Sequence, residues 1–354
     1  MRNPLGSGLM PDVTIYDIAK EAGVSPATVS RVLTRNARVS DEKRRIVEGL
    51  IHKYDFRPNA LARGLSTTTK ILGLMTADIR NPFYATLAVE CEKAANERGY
   101  TVLLCNILSD NALEDAHLEK LYAQRVEAII QIGCRVDALN PDPAYVEHVN
   151  RISRTIPFVV SSKFEGADCV SLRIDHAKSM KMVMDHLFSL GHRDIALLGG
   201  VKTVQSTYEK WQQYIYLQGT YGLRFREDYI QEGDYSEAGG YACMKRFLDC
   251  RPRPTAVIAI NDYTAVGAVR AAYDAGLSLP RDLSIISFDN TFLSEAVRPR
   301  LTSVDYNYPE FGWNLIDLAI RAAEGEDLRR ENFINPQLVI RDSCAPHTIF
   351  ENNV

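Results

Sequence analysis

From Ile71 onward the chain alternates short, almost continuous apolar runs with stretches of helical period, and no other feature restricts its possible folds so strongly. The runs are "ILGLMTA", "YTVLLCN", "VEAIIQIG", "IPFVVSS", "CVSLRID", "DIALLGG", "TAVIAIN" and "SIISFDN". A strand apolar along its whole length is buried on both faces, and such strands separated by helices build parallel sheets covered on both sides, an α/β architecture. In "FYATLAVECEKAANERG", Leu87, Val89, Cys91, Ala94 and Ala95 make an inner face and Gly99 stops the helix. Eight strands are many for one sheet, and the strand and helix order repeats on either side of "CVSLRID", so two lobes are expected. A strand-like "LTSVDYN", a helix near Trp313 to Ala323 and "PQLVIRDS" then return the chain to the first lobe and back. This places the first lobe at about 70–170 and 301–328 and the second at about 171–300 and 329–354. Lobes of this kind enclose a cleft at the carboxyl ends of their strands, the usual small-molecule site of open α/β sheets.

The segment before Ile71 is of another kind. In "VTIYDIAKEAGVSPATVSRVL", Thr14 can cap a helix from Ile15 to Ala22 with Asp17 at the capping-box position, and Gly23 ends it. Ser25 caps a second helix with Pro26 at its first position. Helices this short are marginal alone. Ile15, Ile18, Ala19 and Ala22 of the first and Val29, Val32 and Leu33 of the second can pack together, with small Ala19 at the crossing, while Ala27, Ser30, Arg31 and Thr34 face outward. Two short helices joined by a tight glycine turn make a helix-turn-helix, whose second helix suits the major groove with Arg31 reaching a guanine edge. A third helix, "SDEKRRIVEGLIHKY", has Ser40 as cap and Ile46, Leu50 and Tyr54 to close the core. In "FRPNALARGLSTTTK", Pro58 starts a short helix and Ser66 to Thr69 reads as linker. Leu61 and Leu65 either touch the core, or belong to a helix that orders on DNA and wedges a leucine into the minor groove.

Charge agrees with this division. Residues 1–70 hold 12 Lys and Arg against 7 Asp and Glu, and the remainder 29 against 38, so a basic head sits on an acidic body and a polyanion partner is expected for the head alone. No apolar run reaches the roughly 18 residues of a membrane span. The leader "MRNPLGSGLMP" has no sustained apolar stretch, so a cytoplasmic chain with no membrane association is expected. Seven scattered cysteines without a C-x-x-C pair suggest free thiols and no metal site. Nucleophile-elbow, H-E-x-x-H, Walker and G-x-G-x-x-G motifs are absent, so no catalytic residue and no cofactor is expected. His192 in "GHRD" reads as a locally hydrogen-bonded residue. A sugar-binding transport protein without a regulatory role is the competing class, and the basic head argues against it.

The head motif followed by "RPNALARGL", and "NPFY", "GHRDIALLGG", "RPTAVIAIND", "DAGLSLPRDLSIISFDN" and "RPRLTSVD" in the body, resemble the lactose repressor (LacI/GalR) family of transcriptional regulators from Val13 to Ser343. The resemblance implies a leader (1–11), a three-helix helix-turn-helix DNA-binding domain (12–57), a hinge helix and linker (58–69), and a Rossmann-like, two-lobed core like a periplasmic binding protein (70–354). It implies a homodimer on pseudo-palindromic double-stranded operator DNA, most simply a repressor, with a sugar-like effector in the cleft setting operator affinity. By position, Tyr16, Thr28 and Ser30 would hold phosphates, with Thr14, Ser25 and Arg38 in the same DNA-binding set. Pro26, Ala27 and Arg31 would face bases, and Leu65 would be the wedge beside Asn59 and Ala62. At the cleft Phe83, Tyr84 and Tyr235 would be aromatic walls, Asn261 and Asp262 a polar pair, and Asp289 a hydroxyl-binding carboxylate. Lys210, with Gln213 three residues on, stands where the family usually has arginine and then glycine, and lysine cannot reproduce arginine's planar fork. The tail "HTIFENNV" carries no leucine heptad, so a dimer rather than a coiled-coil tetramer is expected.

Overall fold

The structure is a computed structural model that describes residues 13–33, 39–54, 56 and 69–347. The chain divides into two compact units, 1–69 and 70–354.

The first unit holds three helices, α1 (Ile15–Glu21), α2 (Pro26–Leu33) and α3 (Asp41–Lys53). The capping box of α1 is complete: Thr14 Oγ1 donates to Asp17 Oδ2 at 2.6 Å and accepts from the Asp17 amide at 3.3 Å, while the Thr14 amide donates to Oδ2 at 2.8 Å. Thr14 also holds the Asp17 carboxyl below its usual range. At α2, Ser25 Oγ accepts from the Thr28 amide at 3.3 Å. The core is Ile18, Ala19, Val29, Val32, Val39 and Val47. Two expectations for α3 are corrected. Ser40 makes no side-chain cap, and Val47, not Ile46, is the buried residue, with Ile46 46% exposed. One residue along a helix rotates a side chain by about 100°, so the face turned inward is set by packing against α1 and α2. Tyr54, expected in the core, is 37% exposed and donates to Glu21 at 2.7 Å, beside a Lys53–Glu21 ion pair at 2.8 Å that ties α3 to α1. Val47→Ala should therefore cost about 1–3 kcal/mol and Ile46→Ala well under 1 kcal/mol, read by chemical denaturation of the head's circular dichroism.

The second unit contains two six-stranded sheets. The first lobe is built on β1 (Ile71–Thr76), β2 (Thr101–Asn106), β3 (Ala128–Ile132), β4 (Phe158–Val160) and β5 (Val170–Ile174), with α4 (Pro82–Glu97), α5 (Asn111–Ala123) and α6 (Pro143–Ser153) between them. The second lobe is built on β6 (Ile195–Leu198), β7 (Ile230–Gln231), β8 (Ala256–Ala259), β9 (Ser284–Asp289) and β10 (Thr302–Asp305). Its helices are α7 (His176–Ser189), α8 (Gln205–Thr220), α9 (Glu237–Asp249), α10 (Asp262–Asp274) and the short α11 (Phe292–Ala296). The chain then returns as α12 (Tyr308–Ala323) and β11 (Glu331–Ile334) to the first lobe and ends as β12 (Gln337–Val339) in the second. The sheets run β11-β5-β4-β3-β1-β2 and β12-β10-β9-β8-β6-β7, and among the described residues neighbouring strands pair in parallel except β12 against β10.

The expected lobe boundaries need correction in three places. "CVSLRID" forms β5 and pairs with β4 and β11 in the first sheet, so the first crossover follows residue 174 rather than 170. "LTSVDYN" forms β10 and pairs with β9 in the second sheet, so the first lobe is re-entered only near Tyr306. β11, expected in the second lobe, closes the first sheet beside β5, and only β12 belongs to the second. An apolar strand can complete either sheet, so its partner follows from which open edge the chain reaches. On α4, Leu87, Ala88, Cys91, Ala94 and Ala95 face inward, whereas Val89 is 48% exposed.

Helices α9 and α10 cross with almost no gap. A Cβ on Gly267 would stand 1.9 Å from the Glu237 carbonyl oxygen, and one on Gly240 would stand 2.0 Å from that of Thr264. Backbone atoms cannot swing aside, so Gly267→Ala must spread the two helices. Overpacking of this kind typically costs about 1–3 kcal/mol, to be read as a lowered melting temperature.

Candidate functional site

The carboxyl ends of both sheets meet at a cleft within the second unit. An inner cavity of about 80 Å³ is lined from the first lobe by Asn81, Phe83, Tyr84, Gly133, Asp137 and Ser161, and from the second by Ser206, Lys210, Tyr235, Asn261 and Asp289. His176 and Tyr306, at two of the crossovers, line it as well. A wider outer cavity of about 950 Å³ shares Asn81, Tyr84, Asp137, Ser206 and Tyr235 with it.

The strands deliver these side chains at turns. β3 is followed by Gly133 at φ +79°, where a Cβ would stand 2.6 Å from the Tyr84 hydroxyl, so glycine lets the turn close over that ring. The 3-10 turn Cys134–Asp137 follows and carries Asp137 across to the second lobe. Asp137 Oδ2 accepts from Ser206 Oγ at 2.6 Å, and Oδ1 accepts from the Ser206 amide at 3.2 Å and Ser162 Oγ at 2.5 Å. Beside it the Leu139 amide donates to the Thr203 carbonyl at 2.8 Å, and Ala138 pairs with Val204. A polar network steadies the turn from below: Arg135 binds Glu114 at 2.8 Å and Asp115 at 2.5 Å, and Gln131 joins Glu114 to the Tyr145 hydroxyl.

β9 ends in Asp289 with φ +95°, followed by Asn290 at +49°. Non-glycine residues occupy such positions only where the surroundings enforce them, commonly at binding sites. Here the enforcement comes from Asp262. Its Oδ1 accepts from Ser287 Oγ at 2.6 Å and Ser303 Oγ at 2.8 Å, and its Oδ2 from the Thr291 amide at 2.6 Å and hydroxyl at 3.0 Å. Ser303 Oγ in turn accepts from the Asn290 amide at 3.0 Å. Asp262 is thus turned into the lobe and does not line either cavity, which corrects its expected place beside Asn261. Burial raises its carboxyl to about 6 despite those donors.

Two buried charges of opposite sign share the inner cavity. Burial raises the Asp289 carboxyl to about 7, opposed by Lys210 and reinforced by Asp262. Burial lowers the Lys210 ammonium, with Asp289 and Asp137 opposing that shift, and its Nζ lies 4.7 Å from the centre of the Phe288 ring. Burial also raises Asp137 and holds His176 neutral, well below the ordinary histidine range. His176 Nδ1 and the Tyr306 hydroxyl are buried without a hydrogen-bond partner among the described residues.

Of the expected cleft residues, Phe83, Tyr84, Lys210, Tyr235, Asn261 and Asp289 come together at the inner cavity. Phe83 stacks edge-on with Tyr84, Tyr306 and Tyr308 at 5.2, 6.3 and 6.0 Å. Two of the six are already engaged. Asn261 caps α10 through the Thr264 amide at 2.8 Å and donates to the Tyr235 carbonyl at 3.2 Å, and the Tyr235 hydroxyl bonds Thr207 at 2.7 Å. Asp137, Ser161, His176, Ser206 and Tyr306 escaped sequence reasoning, because they belong to no chemical motif. Their one shared sign is a place just past a strand or at the start of a helix. His192 is hydrogen-bonded, not to sequence neighbours as expected but to the distant Thr255, Ser284 and Ala345 carbonyl, at 3.0–3.1 Å. All seven cysteines are free.

In the head, Tyr16 (71% exposed), Ala27 and Arg31 lie on the surface, and Pro26, Thr28 and Ser30 are half-buried. Ser25 and Thr28 share a hydroxyl contact of 3.0 Å. Arg38, Asn59, Ala62 and Leu65 lie outside the described residues. Among the described residues no helix is long and apolar enough to cross a membrane, and no group of three or more metal-ligating side chains occurs.

A helix-turn-helix head in one chain with a two-lobed receptor core defines a class, the DNA-binding regulators that carry an effector-binding domain. Residues 14–59 match the family described as bacterial regulatory proteins, lacI family, and residues 184–344 a periplasmic binding protein-like domain. Catabolite control protein A of Priestia megaterium is 36% identical over 297 residues, covering 83% of this chain and 87% of that protein. The HTH-type transcriptional repressor PurR of Mannheimia succiniciproducens is 29% identical over 340 residues, covering 93% and 98%. The lac repressor dimer bound to operator and the anti-inducer ONPF shares the fold, with a TM-score of 0.82 at 24% identity over 95% of this chain and 100% of that one. The chain belongs to the LacI family and is a DNA-binding transcriptional regulator, not an enzyme.

Proposed function

We propose that this chain is a cytoplasmic, homodimeric repressor that binds a pseudo-palindromic operator and responds to a sugar-like effector in the cleft. The observation that carries the effector reading is the inner cavity, where aromatic rings, two carboxylates, a lysine and two unpartnered polar atoms converge. Buried polar groups are normally satisfied, and a polyhydroxyl ligand can supply both donors and acceptors to them. Asp289, Lys210 and His176 hold ligand hydroxyls, and Tyr84 and Phe83 form the apolar wall. Since the cavity touches both lobes and two crossovers, a ligand there changes the free energy of lobe closure, and by linkage that of operator binding. Exposed Val89 on α4 and Leu104 on the edge strand β2 support self-association through the first lobe.

In the head, Tyr16, Thr28 and Ser30 contact phosphates, with Thr14 and Ser25 setting the helix starts that aim them, and Pro26, Ala27 and Arg31 read bases. Residues 12–57 form the DNA-binding domain and 58–69 the hinge, with Leu65 as the minor-groove wedge beside Asn59 and Ala62, and Arg38 in the same DNA-binding set. Selection from a random duplex pool tests this reading. A two-fold symmetric motif should emerge, bound with a steep salt dependence. Arg31→Ala should relax the preference at one base pair per half-site, worth about 1–3 kcal/mol. A pool with no enriched symmetric motif would refute operator recognition.

A further inference from the structure

The inner cavity, at about 80 Å³, is well below the roughly 300–1,000 Å³ of ordinary small-molecule sites, whereas the outer cavity, at about 950 Å³, lies within that range. The two adjoin at a throat bordered by Asn81, Tyr84, Asp137, Ser206 and Tyr235, which line both. We propose that the outer cavity is a second ligand subsite, so that the effector is a neutral glycoside of at least two sugar rings, one in the throat and inner cavity and the next outside. This rests on the sugar-effector reading above.

The outer cavity is lined by residues of both lobes. Ala138, Val204 and Thr203, which carry the backbone pairing between the lobes, line one side of it. Its polar groups come from both lobes: Asp78, Arg80 and Asn111 from the first, Asp234, Ser236 and Tyr263 from the second. Several are fixed in advance. Asp78 holds the Arg80 guanidinium with contacts of 2.6–3.0 Å, and Asp234 Oδ1 accepts from the Ser236 amide at 2.9 Å and hydroxyl at 2.6 Å. Arg80 and Tyr263 line the same cavity from opposite lobes. A guanidinium held in place by Asp78 and a half-buried tyrosine in the same lining present donors and a ring face to a sugar, the first at little entropic cost. The charge balance selects against anions. In the outer cavity Arg80 is paired with Asp78 and Arg135 with Glu114 and Asp115, while Asp137 and Asp234 add negative charge, and in the inner cavity Lys210 stands in the field of Asp289 and Asp137, so carboxylates outweigh cations along the described lining.

The test uses the full chain and isothermal titration with glucose, galactose, mannose and xylose, each beside its own disaccharide, and with glucose 6-phosphate. The expected result is one disaccharide bound at least tenfold more tightly than its monosaccharide, with that ratio falling at least fivefold in Tyr263→Ala and in Arg80→Ala. Melting temperatures of both variants within 2 °C of the parent would show that they are folded. A ratio below ten, a ratio indifferent to both variants, or tighter binding of glucose 6-phosphate would overturn the second subsite and leave the sugar reading standing. Absence of binding by every sugar would overturn both, while operator recognition is judged separately by the duplex selection.

Discussion

Asp262→Ala is expected to lower the melting temperature of the core by about 10 °C and to weaken effector binding, although the residue does not line the cleft. Its carboxylate takes four hydrogen bonds, from Ser287, Ser303 and both donors of Thr291. Deleting the acceptor strands several buried donors, each worth about 1–3 kcal/mol, and partial rearrangement leaves a net loss of about 3–5 kcal/mol. In a domain of this size each kcal/mol moves the midpoint by roughly 2–4 °C. The damage reaches the cleft because Thr291, two residues past Asp289, loses its anchor and the left-handed Asp289–Asn290 turn loses what enforces it. Calorimetry measures the first effect and effector titration the second. A midpoint shift below 3 °C would mean that burying this charge costs as much as its hydrogen bonds return.

Asp289→Asn should abolish the effector response, with at least a hundredfold loss of effector affinity, and leave operator binding in the absence of effector within twofold of the parent. The amide keeps the shape but loses an acceptor able to take two charge-assisted bonds from ligand hydroxyls. It also changes how stability depends on pH. The folded carboxyl titrates at about 7, above an unfolded value near 3.9. Between those values the folded state binds the extra proton, so this group's contribution is fully present below about pH 4 and is lost as the pH rises through 7. Asp262, at about 6, adds a slope of the same sign over a narrower window. The parent should therefore lose stability from pH 4 to pH 7 more steeply than Asp289→Asn, as denaturant midpoints at several pH values would record. Equal slopes would place the titration elsewhere. A normal effector response in the variant would remove Asp289 from the ligand site.

How much of this was legible beforehand depended on the range of the interaction involved. The capping box of Thr14 and Asp17, Pro26 at a helix start, the glycine turn between α1 and α2, and all eight named apolar runs follow from local stereochemistry and hydrophobic period, so they could be read directly from the sequence. β7 and β11 could not, because "IQ" is too short and "ENFI" too polar to stand out from a loop, and each becomes a strand only by completing a sheet edge. The same holds for the face of α3, where Val47 and Ile46 are equally apolar neighbours.

In the cleft, sequence alone determined the residues that resemblance could carry, among them Tyr84, Asn261 and Asp289. Tertiary structure decided their work: Asp262 became the support of a strained turn instead of a ligand group, and Asp137, His176, Ser206 and Tyr306 were recruited from four separate loops and helix starts. The physical reason is that helix caps and periodicity depend on neighbours within a few residues. A hydrogen bond between Asp137 and Ser206, or a carboxyl held near neutrality beside Lys210, exists only once chain segments distant in sequence exclude water together.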